Sequence, residues 1–152
     1  MPRGFTLVEL LIVIALVATI SAIGLIVGLE SYQRTLQRND EDTIRIALLH
    51  ARSQALNGVC AAKVCTGPSA HGVYVGDSGF VIFEGGSYFS RHEGEDIILE
   101  GKSDALRSGL AEVVFSPLTG KVSLPGEVRL TDAAGKISIT AINSEGAVLW
   151  GK

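Results

Sequence analysis

From Leu10 to Leu29 the chain carries no charged residue, a run of twenty. As a helix, at about 1.5 Å per residue, such a run spans about 30 Å, the hydrocarbon thickness of a bilayer. Arg3 lies just before it and Glu9 just inside its front edge. Everything downstream reads as a soluble body joined to this one stretch. If the first fifty-odd residues form a single helix, about 95 remain to build a core, enough for one small domain.

Three readings of the run compete. A cleaved secretory signal would have only Met-Pro-Arg as its basic region. Its apolar segment would exceed the usual 7–15 residues. Small residues occur at Ala15–Ala18 and Thr19–Ala22, but apolar sequence continues past both. A plain single-pass anchor accounts for the length but not for Glu9. An acid at membrane depth costs about 2.5–3.5 kcal/mol on insertion scales, less near the interface, and such a residue calls for a partner.

The third reading supplies that partner. Gly4-Phe5-Thr6-Leu7-Val8-Glu9-Leu10 resembles the signal of type IV pilins and pseudopilins: a short basic leader ending in Gly, then Phe, an acid at the fifth mature position and an apolar helix. The resemblance implies cleavage between Gly4 and Phe5 by a prepilin peptidase, N-methylation of Phe5, and insertion in the bacterial inner membrane with the body in the periplasm. Glu9 of one subunit would then face the Phe5 amine of a neighbour. A cation within about 4–6 Å makes an acid in low dielectric tolerable. Pairing of this kind fixes axial register, as buried polar groups do in coiled coils. Many pilins carry a helix-kinking proline in this segment; this chain has none between Phe5 and Gly67. Gly24 and Gly28 are the alternative breaking points, each costing a helix about 1 kcal/mol. They also form Gly-x-x-x-Gly, a close-packing motif in membranes. The simpler reading is of two small residues tolerated in an apolar helix.

After Asp42 the apolar residues Ile44, Ala47, Leu48, Ala51 and Ala55 fall on one helical stripe. Asn39-Asp40-Glu41-Asp42 either caps a second helix or is a solvated stretch within one long helix. Asn57-Gly58 is a C-terminal stop signal. The stripe needs a surface to cover it, and the only candidate lies beyond Gly67-Pro68, where short β-rich runs alternate with turns. Gly72–Val75 and Phe80–Phe83 flank Gly76-Asp-Ser-Gly79, a hairpin signal. Tyr88–Gly94 reads as a polar loop and Lys102–Gly109 as a connection. Further strands are expected at 96–100, 112–115, 122–124, 127–130, 137–142 and 147–150. One helix followed only by strands predicts an α+β fold, a long N-terminal helix packed on an antiparallel β-sheet body. The expected divisions are a leader at 1–4, a membrane or filament-core helix at 5–29, its amphipathic continuation at 30–57 and a periplasmic β-rich domain at 58–152.

Cys60 and Cys65 are the only cysteines. In an exported domain a lone close pair suggests a disulfide, in a cytosolic chain a reduced pair. A redox motif would separate them by two residues rather than four, and a metal site would need further ligands. With the periplasmic placement that the resemblance implies, the pair reads as a structural disulfide.

The layout extends the resemblance. Ala51-Arg-Ser-Gln-Ala55, Phe115-Ser-Pro117 followed by Thr119-Gly120, and Ile137–Ile142 followed by Glu145-Gly146-Ala-Val148 are similar to segments of the GspH/FimT family of minor pseudopilins and minor pilins. In competence pilins of that group a Gly-Arg-x-Arg segment is linked to DNA uptake; the matching place here is Gly146-Ala147-Val148-Leu149, without arginine. From Gly58 to Lys152 there are eight Lys and Arg against eleven Asp and Glu. An acidic body has no bulk attraction for nucleic acid, which argues against it as a partner. No catalytic motif, phosphate loop or paired-histidine metal site is present, so no enzyme, cofactor or metal is expected. Glu93, Glu95 and Asp96 could attract a cation but lack the spacing of a calcium loop. The expectation is a minor pseudopilin, a structural subunit of a type II secretion pseudopilus acting in protein export. Its partners would be other pilin-like subunits, through the N-terminal helix, and the prepilin peptidase. The alternative is a FimT-like minor type IV pilin acting in pilus assembly or DNA uptake.

Overall fold

The computed structural model describes residues 6–61, 66–132 and 135–151. Gly4, Phe5 and Cys65, three residues of the expected processing and disulfide sites, lie outside the described residues. The chain divides into two compact units, Met1–Thr35 and Leu36–Lys152.

One helix, α1 (Leu7–Leu56), contributes to both units. It starts where the Thr6 hydroxyl accepts a hydrogen bond from the Glu9 amide at 3.2 Å. That contact satisfies one of the amides that a helix start leaves without a partner. The helix continues through Gly24 and Gly28, so neither breaks it. It also continues through Asn39–Asp42, which therefore starts no second helix. It stops at Leu56 because Gly58 takes a left-handed conformation at φ 60°. There the Gly58 amide donates to Ala55 O and the Val59 amide to Gln54 O, both at 3.0 Å. This is the glycine-terminated Schellman arrangement that Asn57-Gly58 announced.

In the second unit eight strands form two antiparallel four-stranded sheets, giving the expected α+β architecture. The first sheet has the order β3 (Ile97–Glu100), β2 (Gly79–Glu84), β1 (His71–Gly76), β5 (Glu112–Phe115). The second has the order β4 (Leu106–Gly109), β6 (Gly126–Thr131), β7 (Ile137–Ile142), β8 (Val148–Gly151). The tight turn between β1 and β2 sets Gly76 opposite Gly79, at the place of the hairpin signal. Ile44, Ala47, Leu48, Ala51 and Ala55 are all fully buried. They share one core with Val73, Phe80, Val113 and Phe115 of the first sheet and Val128, Leu130 and Ile142 of the second. Helical period on α1 and alternation along the strands thus aim at the same interior.

Two segments differ from expectation. Lys102–Gly109 includes a strand, β4, which pairs Leu106–Gly109 with residues 128–131 of β6. Val122–Leu124 is not a strand: only Val122 pairs, as an isolated bridge to Phe115. The amide of Val122 instead donates to Ser144 O at 3.0 Å, and Pro125 follows, lacking the amide that a strand would need.

Leu48→Ala should destabilise the second unit by about 2–5 kcal/mol, because the cavity forms where helix and sheets meet. Ile46→Ala, at a residue 65% exposed, should change stability by less than about 0.5 kcal/mol. Urea titration of the detergent-solubilised chain, followed by circular dichroism, measures both.

Candidate functional site

Leu7–Gly24 forms a helical window long and apolar enough to cross a membrane, with a mean hydropathy of 2.5 and none of it buried. Leu10, Leu11, Ile14, Val17 and Ile20 are all exposed. An apolar surface of this kind is stable only against lipid or other apolar helices. Glu9, the acid singled out in the sequence, is exposed in the first turn. There it sits favourably toward the positive end of the helix dipole. Thr6-Leu-Val-Glu9 also has the spacing of a capping box, Ser or Thr at the N-cap and Glu three residues on. The hydrogen bond that the Glu9 amide donates to Thr6 Oγ1 is one half of that device. The pattern was legible in the sequence; the half observed uses the backbone amide of Glu9, and a part for its side chain is what the pattern predicts.

The second feature joins α1 to the sheets within the second unit. Asp40 has no exposed surface. One carboxylate oxygen accepts from the Lys102 amide at 2.6 Å. The other accepts from the Ser103 hydroxyl at 2.6 Å, the Ser103 amide at 3.2 Å and Arg107 Nη2 at 2.9 Å. The Arg107 side chain is itself 5% exposed. It also donates to Asp77 O in the β1–β2 turn, and its guanidinium lies 5.4 Å from the centre of the Phe80 ring. Asp40 thus ties the helix to the β3–β4 connection, to β4 and, through Arg107, to the β1–β2 turn. Four donors meet the requirement that a charge removed from water be paired and hydrogen-bonded. Of the two readings the sequence offered here, the stretch within one long helix holds, with Asn39 and Asp42 exposed, but Asp40 departs from it by being buried.

Residues 2–25 match the prokaryotic N-terminal methylation motif. The match supports a type IV pilin-like protein. Comparison with curated proteins and with solved structures gives no match. The matched segment and the membrane-length window overlap, so the apolar helix and the motif are one feature.

Of the other residues singled out in the sequence, Cys60 lies in the segment after α1, with its sulfur 3.0 Å from Glu84 Oε1. Glu84 is buried and accepts from the Ala61 amide at 2.9 Å. His71 Nε2 lies 2.9 Å from Val59 O. Glu84 and His71, paired across β1 and β2, thus hold both sides of Cys60. The acidic loop is organised by an arginine: Asp96 accepts from Arg91 Nε at 2.7 Å, and Glu93 lies 3.6 Å from Arg91 Nη2. The hydrogen bond to Asp96 raises the pKa of Arg91 above its ordinary value. Among the described residues, no group of three or more His, Cys, Asp or Glu is placed to hold a metal ion.

Asp40→Ala should cost about 3–5 kcal/mol, because it leaves Arg107 buried without its counter-charge. Asp40→Ala/Arg107→Ala should cost less than the sum of the single changes. A urea-unfolding double-mutant cycle on the full chain measures the coupling, and additive costs would refute the proposed clamp.

Proposed function

We propose that the chain is a minor pseudopilin, a structural subunit of a periplasmic filament of the type II secretion kind. The observation that supports this reading is the methylation motif coinciding with an apolar helical window that has no buried residue. The prepilin peptidase removes residues 1–4 and methylates the new Phe5 amine. The helix anchors the subunit in the inner membrane, with the body in the periplasm and a disulfide between Cys60 and Cys65. In the filament the helix exchanges lipid for the helices of neighbouring subunits. Its outer face beyond the apolar window, where Ile46 and Leu49 are exposed, suits the same packing. The protein's work is then to build or end the filament rather than to catalyse a reaction.

In the membrane the Glu9 carboxylate stands near the interface. In the filament it faces the methylated Phe5 amine of the next subunit. Only the correct axial stagger brings the two charges together, so the pair selects register as well as offsetting desolvation.

Glu9→Gln separates this role from the local cap. Glutamine serves a capping box as glutamate does, but carries no charge. The Gln variant should insert in the membrane and be processed normally, yet fail to co-purify with sheared filaments. Incorporation at the wild-type level, with Glu9→Ala impaired, would leave Glu9 with only its capping role.

A further inference from the structure

On the outer face of the first sheet a short turn holds a phenylalanine in water. Phe89 is 90% exposed, the highest value among the exposed large apolar residues described. It lies in a 3₁₀ turn, Tyr88–Ser90, and that turn is held from several directions. Ser87 Oγ accepts from the Phe89 amide at 3.4 Å, and Ser87 O accepts from the Ser90 amide at 3.1 Å. Glu112 of β5 accepts from the Tyr88 amide at 2.8 Å and from Ser87 Oγ at 3.2 Å. The Tyr88 ring lies between two flat groups. Tyr74 stacks on it at 3.9 Å with an interplanar angle of 8°, and the Arg91 guanidinium lies 3.8 Å from its centre. Arg91 in turn donates to Tyr88 O at 2.8 Å and to Asp96. Phe83 meets Tyr88 edge-on and lies over Gly72, where a Cβ would strike its ring.

This network fixes the turn but leaves Phe89 almost uncovered. Its only ring contact among the described residues is edge-on with Tyr88 at 6.0 Å. An exposed aromatic contributes little to folding. One carried on a backbone that is already fixed loses less entropy on binding and suits the centre of an interface. We propose that Phe89 is the anchor by which the β body docks on a different protein, one that presents an apolar pocket rimmed by Lys or Arg.

The rim chemistry follows from the neighbours of Phe89. Residues 87–96 carry one arginine against three acids, and that arginine is engaged by Tyr88, Asp96 and Glu93. Glu93 and Glu95 are exposed. A second copy of this chain fits poorly. The groove of about 410 Å³ among the described residues, between Ala70, Val114, Pro117 and Leu124, is lined by Glu112 and by no Lys or Arg. Two such bodies would set acid against acid, which disfavours that pairing.

The test uses the full chain in cells that make its filament machine, with the photocrosslinker p-benzoylphenylalanine in place of exposed His92. Light should yield an adduct with another protein, and mass spectrometry of the joined peptide should find apolar residues beside Lys or Arg. Phe89→Ala in the same chain should lower adduct yield at least tenfold, with Phe89→Trp retaining it and Glu93→Lys/Glu95→Lys lowering it several-fold. Phe89→Ala should leave the thermal midpoint and the processing of residues 1–4 unchanged, so this result stands apart from the pseudopilin reading. An adduct only with a second copy, no adduct, a yield insensitive to Phe89→Ala or a fall in thermal midpoint would each overturn the proposal.

Discussion

An apolar helix surface that its own chain leaves uncovered is the constraint on which the rest of this structure depends. The window Leu7–Gly24 has no buried residue. Water is a poor solvent for such a surface, and the area involved is far beyond the scattered exposed residues of a soluble domain. Two environments satisfy it, a bilayer or a bundle of like helices. A subunit that passes from one to the other needs little new chemistry. It needs a charge pair that is tolerable at the membrane edge and selective in the bundle, and the proposed Phe5 amine and Glu9 supply one of each sign.

The second half of α1 solves a different problem. Ile44, Leu48 and the three alanines of the stripe are covered by two sheets, and the small residues let the strands approach the helix closely. Hydrophobic burial is non-directional and leaves the helix free to slide or turn on the sheets. Asp40 removes that freedom. Its donors come from the β3–β4 connection and from β4, and Arg107 carries the contact on to the β1–β2 turn. A helix shifted by one residue would swing Asp40 through about 100° and strand Arg107. The buried pair thus acts on specificity more than on net stability.

What was legible in the sequence was whatever obeys a local period. The stripe from Ile44 to Ala55 and the hairpin around Gly76–Gly79 depend on neighbours a few residues apart, and so does the stop at Gly58. Strand β4 was hidden because Leu-Arg-Ser-Gly at a sheet edge has one apolar residue and no alternation to detect. Val122 suggested a strand by composition, but its amide is taken by Ser144 and Pro125 ends the run. Asp40 was unreadable for another reason: its partners lie more than sixty residues away in the chain. Four polar residues in a row look solvated until the fold brings donors to one of them. Phe89 likewise sits in a stretch of loop composition, and only the Tyr74–Tyr88–Arg91 stack shows that the loop is held. Thr6–Glu9 is the opposite case, a capping box open to any reader and obscured by the more specific motif around it.

Processing of the N-terminus comes first, since the Phe5 amine exists only after cleavage. Mass spectrometry of the intact protein, extracted from membranes of a host with an active prepilin peptidase, measures this most directly. The expected chain begins at Phe5 and carries one added methyl group. A chain that still begins at Met1 in that host would contradict it.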